Sequence, residues 1–293
     1  MPSATTHSGA EVVVVGDTVT KLHHPRTDAA LLAERLAVVA RGAEAAAVWV
    51  QPLHDVPARA ADGRLTSAWP RVEVLAPDDG EQPWAEAGRL LADLHGWSVP
   101  VTATDRPGSL PLPDHGWPAR LARARARIGR SGGGAAAVLL RGLGDRLLDE
   151  LALGPAAPVG QAPRTVVHGD FHLGNLARTG AGLRLLDPDD LGLGDPAWDL
   201  ARPAGYWAAG LLADEDWDRF LGAYADAGGR AVTPGEDPWP RLDLPARCAV
   251  FVAAVRAVAG PEGGAEDDPG RGAAQPAHSA LPADALVAAC SRM

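Results

Sequence analysis

Lysine occurs once in this 293-residue chain, at Lys21; every other basic side chain is arginine or histidine. A P-loop needs Gly-Lys-Ser/Thr after its glycines, and the glycine run Gly132–Gly134 is followed by neither. Cysteine is nearly as scarce. Cys248 and Cys290 cannot build a disulfide framework and suit a reducing cytosol. Long apolar runs are missing too. Val12–Val15 spans four residues, far short of a membrane crossing, and no early segment joins a basic start to an apolar run of signal-peptide length. A basic excess is also lacking. The net charge of −10 and a pI near 5.3 argue against broad nucleic-acid binding. These absences predict a cytoplasmic protein, monomer or homodimer, with no membrane and no nucleic-acid partner. Solubility explains the acidity; a cationic substrate drawn to an acidic cleft is the sharper alternative.

An apolar content of 46% suffices for a real core, and the length suits one large domain or two lobes. Residues 1–10 read as a tail. Glu11–Val15, the turn Gly16-Asp17 and Thr18–His23 read as a hairpin that carries Lys21. Thr27 or Asp28 caps a helix with Leu31, Leu32, Leu36 and Val39 on one face. Glu34 lies about 60° from Leu31, at the edge of that face. Ala46–Val50 and Arg71–Leu75 are strand candidates, and Pro52–Ala68 is turn-rich. After residues 75–80 the pattern changes from mainly strand to mainly helix, which predicts two units, 1–76 and 77–293. Helices are expected after Pro83, over Trp117–Ile128, near Leu139–Leu153, and near Trp198–Ala209, Trp217–Ala227 and Ala246–Ala259. Loops are expected over 99–114, 155–163 and 261–280. Tyr206, Trp207, Trp217, Phe220 and Tyr224 recur at helical spacing and read as core packing. Arg123, Arg125 and Arg127 read as a solvated face.

Chemistry concentrates in His168-Gly169-Asp170-Phe171-His172-Leu173-Gly174-Asn175, followed by Leu185-Leu186-Asp187. An aspartate two residues after a histidine, an asparagine five later and a second aspartate twelve beyond match the spacing of a phosphoryl-transfer catalytic loop. Asp170 would orient a substrate hydroxyl and accept its proton. Asn175 and Asp187 would offer magnesium a neutral and a charged oxygen, with ATP phosphates completing the shell. His168 would buttress the turn. Lys21 on a strand and Glu34 on the next helix form a second set, a lysine for the phosphates and a carboxylate to fix it. Asp195 and Asp199 flank a predicted helix start, where one would cap it and the other would be solvated or reach the catalytic loop. A two-metal phosphoesterase needs several more histidine ligands, and after His172 only His278 remains.

These residues, with Gly194-Asp195-Pro196-Ala197-Trp198-Asp199-Leu200-Ala201 and the helix around Leu90–His95, resemble the aminoglycoside phosphotransferase and choline-kinase-like family, relatives of the protein kinases. The resemblance runs over residues 11–260 and is specific mainly over 166–201. It implies an α+β, two-lobed protein-kinase-like fold with a reduced β-rich N-lobe and a mostly helical C-lobe. ATP, with GTP as the alternative, and Mg²⁺ would sit between the lobes. It also implies Asp170 as catalytic base, Lys21 and Glu34 as the phosphate-positioning pair, and Asn175 and Asp187 as magnesium ligands. The backbone near Val74–Ala76 would meet the adenine, and Asp199 would fix the catalytic loop. The implied acceptor is an antibiotic hydroxyl of aminoglycoside, cyclic-peptide or nucleoside type. A sugar or amino alcohol is the alternative, and a nucleotide-binding pseudokinase the second. Two features depart from the family. Only twenty residues precede Lys21, so the nucleotide-covering strand pair and its Gly-rich loop are expected to be shortened or missing, with Ser8-Gly9 a poor substitute. Pro188-Asp189-Asp190 follows Asp187, leaving Asp189 and Asp190 either near the metal or solvated.

Overall fold

A computed structural model describes residues 3–5, 10–76, 80–97, 112–153, 164–260 and 281–293. Most of the expected tail with Ser8-Gly9, most of the 99–114 loop, and the 155–163 and 261–280 loops lie outside these residues. The amino-terminal part holds β1 (Ser3–Thr5), β2 (Glu11–Val15), β3 (Thr18–Leu22), α1 (Ala29–Val39), α2 (Gly42–Val48), β4 (Ala58–Arg59), β5 (Leu65–Pro70) and β6 (Glu73–Val74). The hairpin forms as expected: Val14 faces Val19 across β2 and β3, and Gly16 takes φ +57° at the turn. An antiparallel sheet in the order β1-β2-β3-β5-β4 results. The α1 start is set by Asp28, whose carboxylate accepts from the amides of Ala30 and Leu31.

Two expectations fail here. Ala46–Val50 is not a strand: an alanine-rich run favours helix, so α2 continues to Val48, and only Trp49 and Val50 extend to meet Leu185. The turn-rich reading of Pro52–Ala68 hid β4 and most of β5. β5 pairs Lys21 with Ser67 in register and so borders the strand that carries the lysine.

The remainder holds α3 (Trp84–Gly96), α4 (Trp117–Arg130), α5 (Ala135–Leu153), β7 (Thr165–Val167), β8 (Leu176–Thr179), β9 (Gly182–Leu185), β10 (Gly192–Gly194), α6 (Ala197–Ala208), α7 (Asp214–Asp226), α8 (Trp239–Ala259) and α9 (Ala283–Cys290). α8 begins seven residues before the expected Ala246, because Pro238 and Pro240 suit a helix start and Pro245 is accommodated inside. Short 3₁₀ turns cover Leu173–Asn175 and Pro188–Asp190. β7 pairs with β10, and β6-β8-β9 form a three-stranded sheet. One apolar core runs from Val39, Val48 and Trp49 through α3 to Leu185, Leu200 and Phe220. A second joins α4, α5, α8 and α9. Trp217, Phe220 and Tyr224 are buried, as the aromatic spacing predicts. No described helix is long and apolar enough to cross a membrane. The architecture is α+β, with the five-stranded sheet in the amino-terminal part and most of the helices beyond it.

Candidate active site

β7 is buried on every residue and pairs with β10, so it delivers His168 and Gly169 into the interior. The turn that follows hangs from one carboxylate. Asp199, on the first turn of α6, accepts from the His168 amide (2.6 Å) through Oδ2 and from the Gly169 amide (2.8 Å) through Oδ1. Asp199 is 1% exposed, so the solvated alternative does not describe it. Asp195 takes the capping role instead, accepting from the Ala197 amide and from Arg241. Gly169 has φ +81°, and a Cβ there would collide with the Asp190 carbonyl oxygen, so only glycine fits. Behind Asp199 stands a relay. The Ala231 amide donates to the Tyr224 hydroxyl, which donates to His95 Nδ1 (2.8 Å), and His95 Nε2 faces Asp199 Oδ2 (3.1 Å). Burial works to raise the Asp199 pKa, but the His95 bond and the His168 amide hold it below its ordinary value.

His168 is fully buried and stacks on Trp49 at 5.2 Å. Its Nδ1 accepts from the Asp170 amide, so its Nε2 carries the proton and donates to the Leu186 carbonyl (2.9 Å). That single ring ties the Asp170 turn to the residue preceding Asp187.

Asp170 receives two guanidinium groups on one oxygen. Arg120 Nη1 and Arg202 Nη2 each lie 2.7 Å from its Oδ1, while Arg120 Nη2 reaches Asp190 Oδ2 at 2.6 Å. Burial works to raise the Asp170 carboxyl, but the charges of Arg120 and Arg202 hold it well below the usual carboxylate range. Asn175 Nδ2 donates to the Asp170 carbonyl, leaving Oδ1 as its free acceptor, and the Asn175 carbonyl accepts from the Leu186 amide. Asp187 follows β9 in a left-handed conformation (φ 59°), the one described non-glycine residue with positive φ. Asn175 and Asp187 thus sit at neighbouring ends of the β8–β9 hairpin. They offer two hard oxygen donors, which fits magnesium better than a soft metal. Among the described residues no cluster of three His, Cys, Asp or Glu converges as a cation site, so nothing there supports the two-metal alternative.

Lys21 meets this end of the hairpin. Its Nζ lies 2.6 Å from Asp187 Oδ1 and 2.8 Å from Asp189 Oδ2. His23 joins through Nδ1 to Asp189 (3.2 Å) and through Nε2 to Ser67 (2.8 Å). Burial tends to lower the Lys21 pKa, but the two carboxylates raise it overall. Burial and the neighbouring Asp189 charge push Asp187 up, against the pull of Lys21.

The expected Lys21–Glu34 pair is not formed. The ammonium donates to Asp187 and Asp189 instead, and Glu34 keeps a buried Oε2 with no hydrogen-bond partner. Its helix neighbour Arg35 instead reaches the Leu191 carbonyl (2.9 Å). Val74 is 36% exposed on β6, which pairs with β8; the Leu75 amide donates to Leu176, and the Ala76 carbonyl accepts from Gln82.

The sequence reading passed over Arg120, Arg202, His23 and His95, and left Asp189 and Asp190 open. Arg202 carried a signal, since it falls three residues after Asp199 on one helix and so shares its face. Arg120, 50 residues before Asp170, carried none. Arg125 pairs with Asp145, and Arg127 donates to the Ala259 carbonyl.

The model of the phosphotransferase enzyme family matches residues 7–275. Among solved structures, a choline/ethanolamine kinase family protein from Mesorhizobium loti has a TM-score of 0.59 at 18% identity, covering 100% of this chain and 87% of its own. Choline kinase LicA from Streptococcus pneumoniae gives 0.58 at 13%, with 100% and 94% covered. Aminoglycoside 2'-phosphotransferase-IIIa, solved as a GDP complex, gives 0.54 at 12%, with 88% and 86% covered. These likenesses establish the kinase-like fold. No curated protein sequence gives a significant match.

Proposed function

Because the chain belongs to the phosphotransferase enzyme family, we propose that it moves the γ-phosphoryl group of ATP to a hydroxyl of a small molecule. The observation that carries this reading is the meeting of Asp170, Asn175, Asp187 and Lys21 around one hairpin end. Lys21 holds the phosphate side, with Val74–Ala76 on the adenine side. The division of labour follows the expected boundary, residues 1–76 toward the nucleotide and 77–293 toward the acceptor. Asn175 Oδ1 and the Asp187 carboxylate would hold magnesium, which when bound neutralises phosphate charge. Glu34, whose buried Oε2 has no partner, would reach Lys21 only if the ammonium leaves Asp187 or Asp189 when nucleotide binds.

On this reading Asp170 Oδ2, the oxygen that no arginine occupies, accepts the acceptor hydroxyl. The hydroxyl oxygen bonds to the γ-phosphorus, the bond from that phosphorus to the bridging oxygen breaks, ADP leaves with the electron pair, and the hydroxyl proton passes to Asp170 and on to solvent. His168 and Asp199 keep the turn in place. Positioning and charge supply most of the rate.

The finer reading is an antibiotic hydroxyl in a cytoplasmic resistance enzyme, which the likeness to an aminoglycoside phosphotransferase supports. A metabolite hydroxyl is the second reading, favoured by two choline-kinase-type structures with higher TM-scores. The test is a phosphate-transfer screen with Mg·ATP and Mg·GTP over antibiotics, sugars and amino alcohols, with Asp170→Ala as control. Transfer that disappears in Asp170→Ala is expected. Transfer that persists there refutes the assignment, and nucleotide binding without any transfer marks a pseudokinase.

A further inference from the structure

We propose that Asp189, and not Glu34, is the carboxylate that fixes Lys21 when nucleotide is bound, and that His23 is the positioning residue that holds Asp189 for it. The inference rests on the phosphotransferase reading above and adds how its phosphate-side lysine is steered. In a strand alternate residues share a face, and residues directly opposite across a ladder share it too. Lys21 of β3 lies opposite Ser67 of β5, and Val19 lies opposite Trp69. The pairing continues past the end of β3, where the His23 amide donates to the Leu65 carbonyl (2.9 Å). Lys21, His23, Ser67 and Trp69 therefore stand on one face of the amino-terminal sheet. From that face two side chains grip one oxygen of Asp189, in the 3₁₀ turn Pro188–Asp190. Its Oδ2 lies 2.8 Å from Lys21 Nζ and 3.2 Å from His23 Nδ1.

The network behind Asp189 has a direction. An ionised carboxylate can only accept, so His23 Nδ1 carries a proton. Nε2 of the neutral ring then accepts from the Ser67 hydroxyl (2.8 Å), and the Ser67 oxygen accepts from the Trp69 indole N–H (2.9 Å). His23 and Ser67 are buried, and Trp69 packs on two apolar clusters. Burial works to raise the Asp189 carboxyl, but Lys21 and His23 hold it below the usual carboxylate range. Asp187 is the carboxylate that magnesium would take, and an ammonium on that same group would then face the charge of the metal. Asp189 remains, already in contact and supported from behind. Glu34 Oε2 has no hydrogen bond to hold it toward Lys21, and moving the ammonium there would break the contact with Asp189. A contact formed in advance needs no such rearrangement.

The test is calorimetric titration of the full chain with a non-hydrolysable Mg·ATP analogue and with adenosine, which lacks the phosphates. Asp189→Asn should weaken binding of the analogue about tenfold or more, and of adenosine less than about twofold. His23→Ala should cost the analogue about threefold or more. His23→Asn, whose amide can donate from near the place of Nδ1, should recover most of that loss. His23→Ala should cost nothing further in an Asp189→Asn background, because His23 acts through Asp189. Asp189→Asn should likewise cost nothing further in a Lys21→Met background. A larger loss from Glu34→Gln than from Asp189→Asn overturns the inference, as do additive losses at His23 and Asp189. A further loss from Asp189→Asn without Lys21, the mark of a metal ligand, overturns it as well, and each of these leaves the nucleotide site standing. Equal losses for adenosine and the analogue make the role structural and overturn it too. A native chain that does not bind the analogue removes the phosphotransferase reading, and the inference with it.

Discussion

Asp170 is a weak base by its surroundings, and that fits the chemistry proposed for it. Two arginines on one oxygen lower its proton affinity. In a loose phosphoryl-transfer transition state the hydroxyl needs orientation more than early deprotonation. Asp170→Asn should lower kcat by about 10²–10⁴-fold with an unchanged circular dichroism spectrum; turnover near that of the native chain would dismiss the role. The pH response follows from the same contacts. A carboxylate whose folded pKa is depressed contributes stability that is fully present above its unfolded value, about 4, and is lost only as pH falls through the lower folded value. Asp170 should therefore impose no acid limb on kcat/KM in the ordinary carboxylate range. Arg120→Gln removes one of the two charges, so the Asp170 pKa should rise and an acid limb should move up into that range. Identical acid limbs in the two proteins would show that Arg120 does not tune Asp170. At this scale the sequence was legible where contacts follow from local spacing, as between His168, Asp170 and Asn175. It was silent on Arg120, whose meeting with Asp170 depends on how α4 packs.

Asp199 and Arg202 both lie on α6, and both bond to the His168–Asp170 turn. Asp199→Ala would leave two buried amides and His95 without their acceptor. At about 1–3 kcal/mol for each unsatisfied buried group, a stability loss of roughly 3 kcal/mol is expected by urea denaturation, together with loss of activity; a loss below about 1 kcal/mol would mean that the turn is held elsewhere. The seat of α6 depends on Gly205, where a Cβ would come 2.5 Å from the Ala246 carbonyl. Gly205→Ala should force α6 and α8 apart, cost about 1–3 kcal/mol, and lower kcat by displacing Arg202 and Asp199. Destabilisation with kcat intact would separate that packing from the site. Elements with their own punctuation were readable: Asp28 starts α1, and Gly16 turns β2 into β3. β4 and β5 were not, because a two-residue strand has no periodicity and its partner begins among turn residues. Ala46–Val50 misled because its strand-like end, Trp49-Val50, belongs to a bridge with Leu185 after an alanine-rich helix has ended.

At the scale of the whole molecule, the amino-terminal sheet keeps a small apolar cluster of its own, Leu32, Leu36 and Leu65 with Trp69 against it, but α1 and α2 also enter the main core. Val39, Val48 and Trp49 belong to the same apolar cluster as Leu91, Leu185 and Leu200, and β6 pairs with β8 across the expected boundary. The core that α1 and α2 share with the later helices was not legible, since it joins residues more than 100 positions apart. Lys21, from the first sheet, meets Asp187, at the end of the β8–β9 hairpin, and Trp49 stacks on His168. The central claim is that Lys21, Asn175 and Asp187 together form a magnesium–nucleotide site facing Asp170. Calorimetric titration with a non-hydrolysable ATP analogue, with and without Mg²⁺, in the native chain and in Asp187→Ala, tests it most directly. The account predicts saturable, Mg²⁺-dependent binding that Asp187→Ala removes; binding indifferent to both the metal and Asp187, or no binding in the native chain, would contradict it.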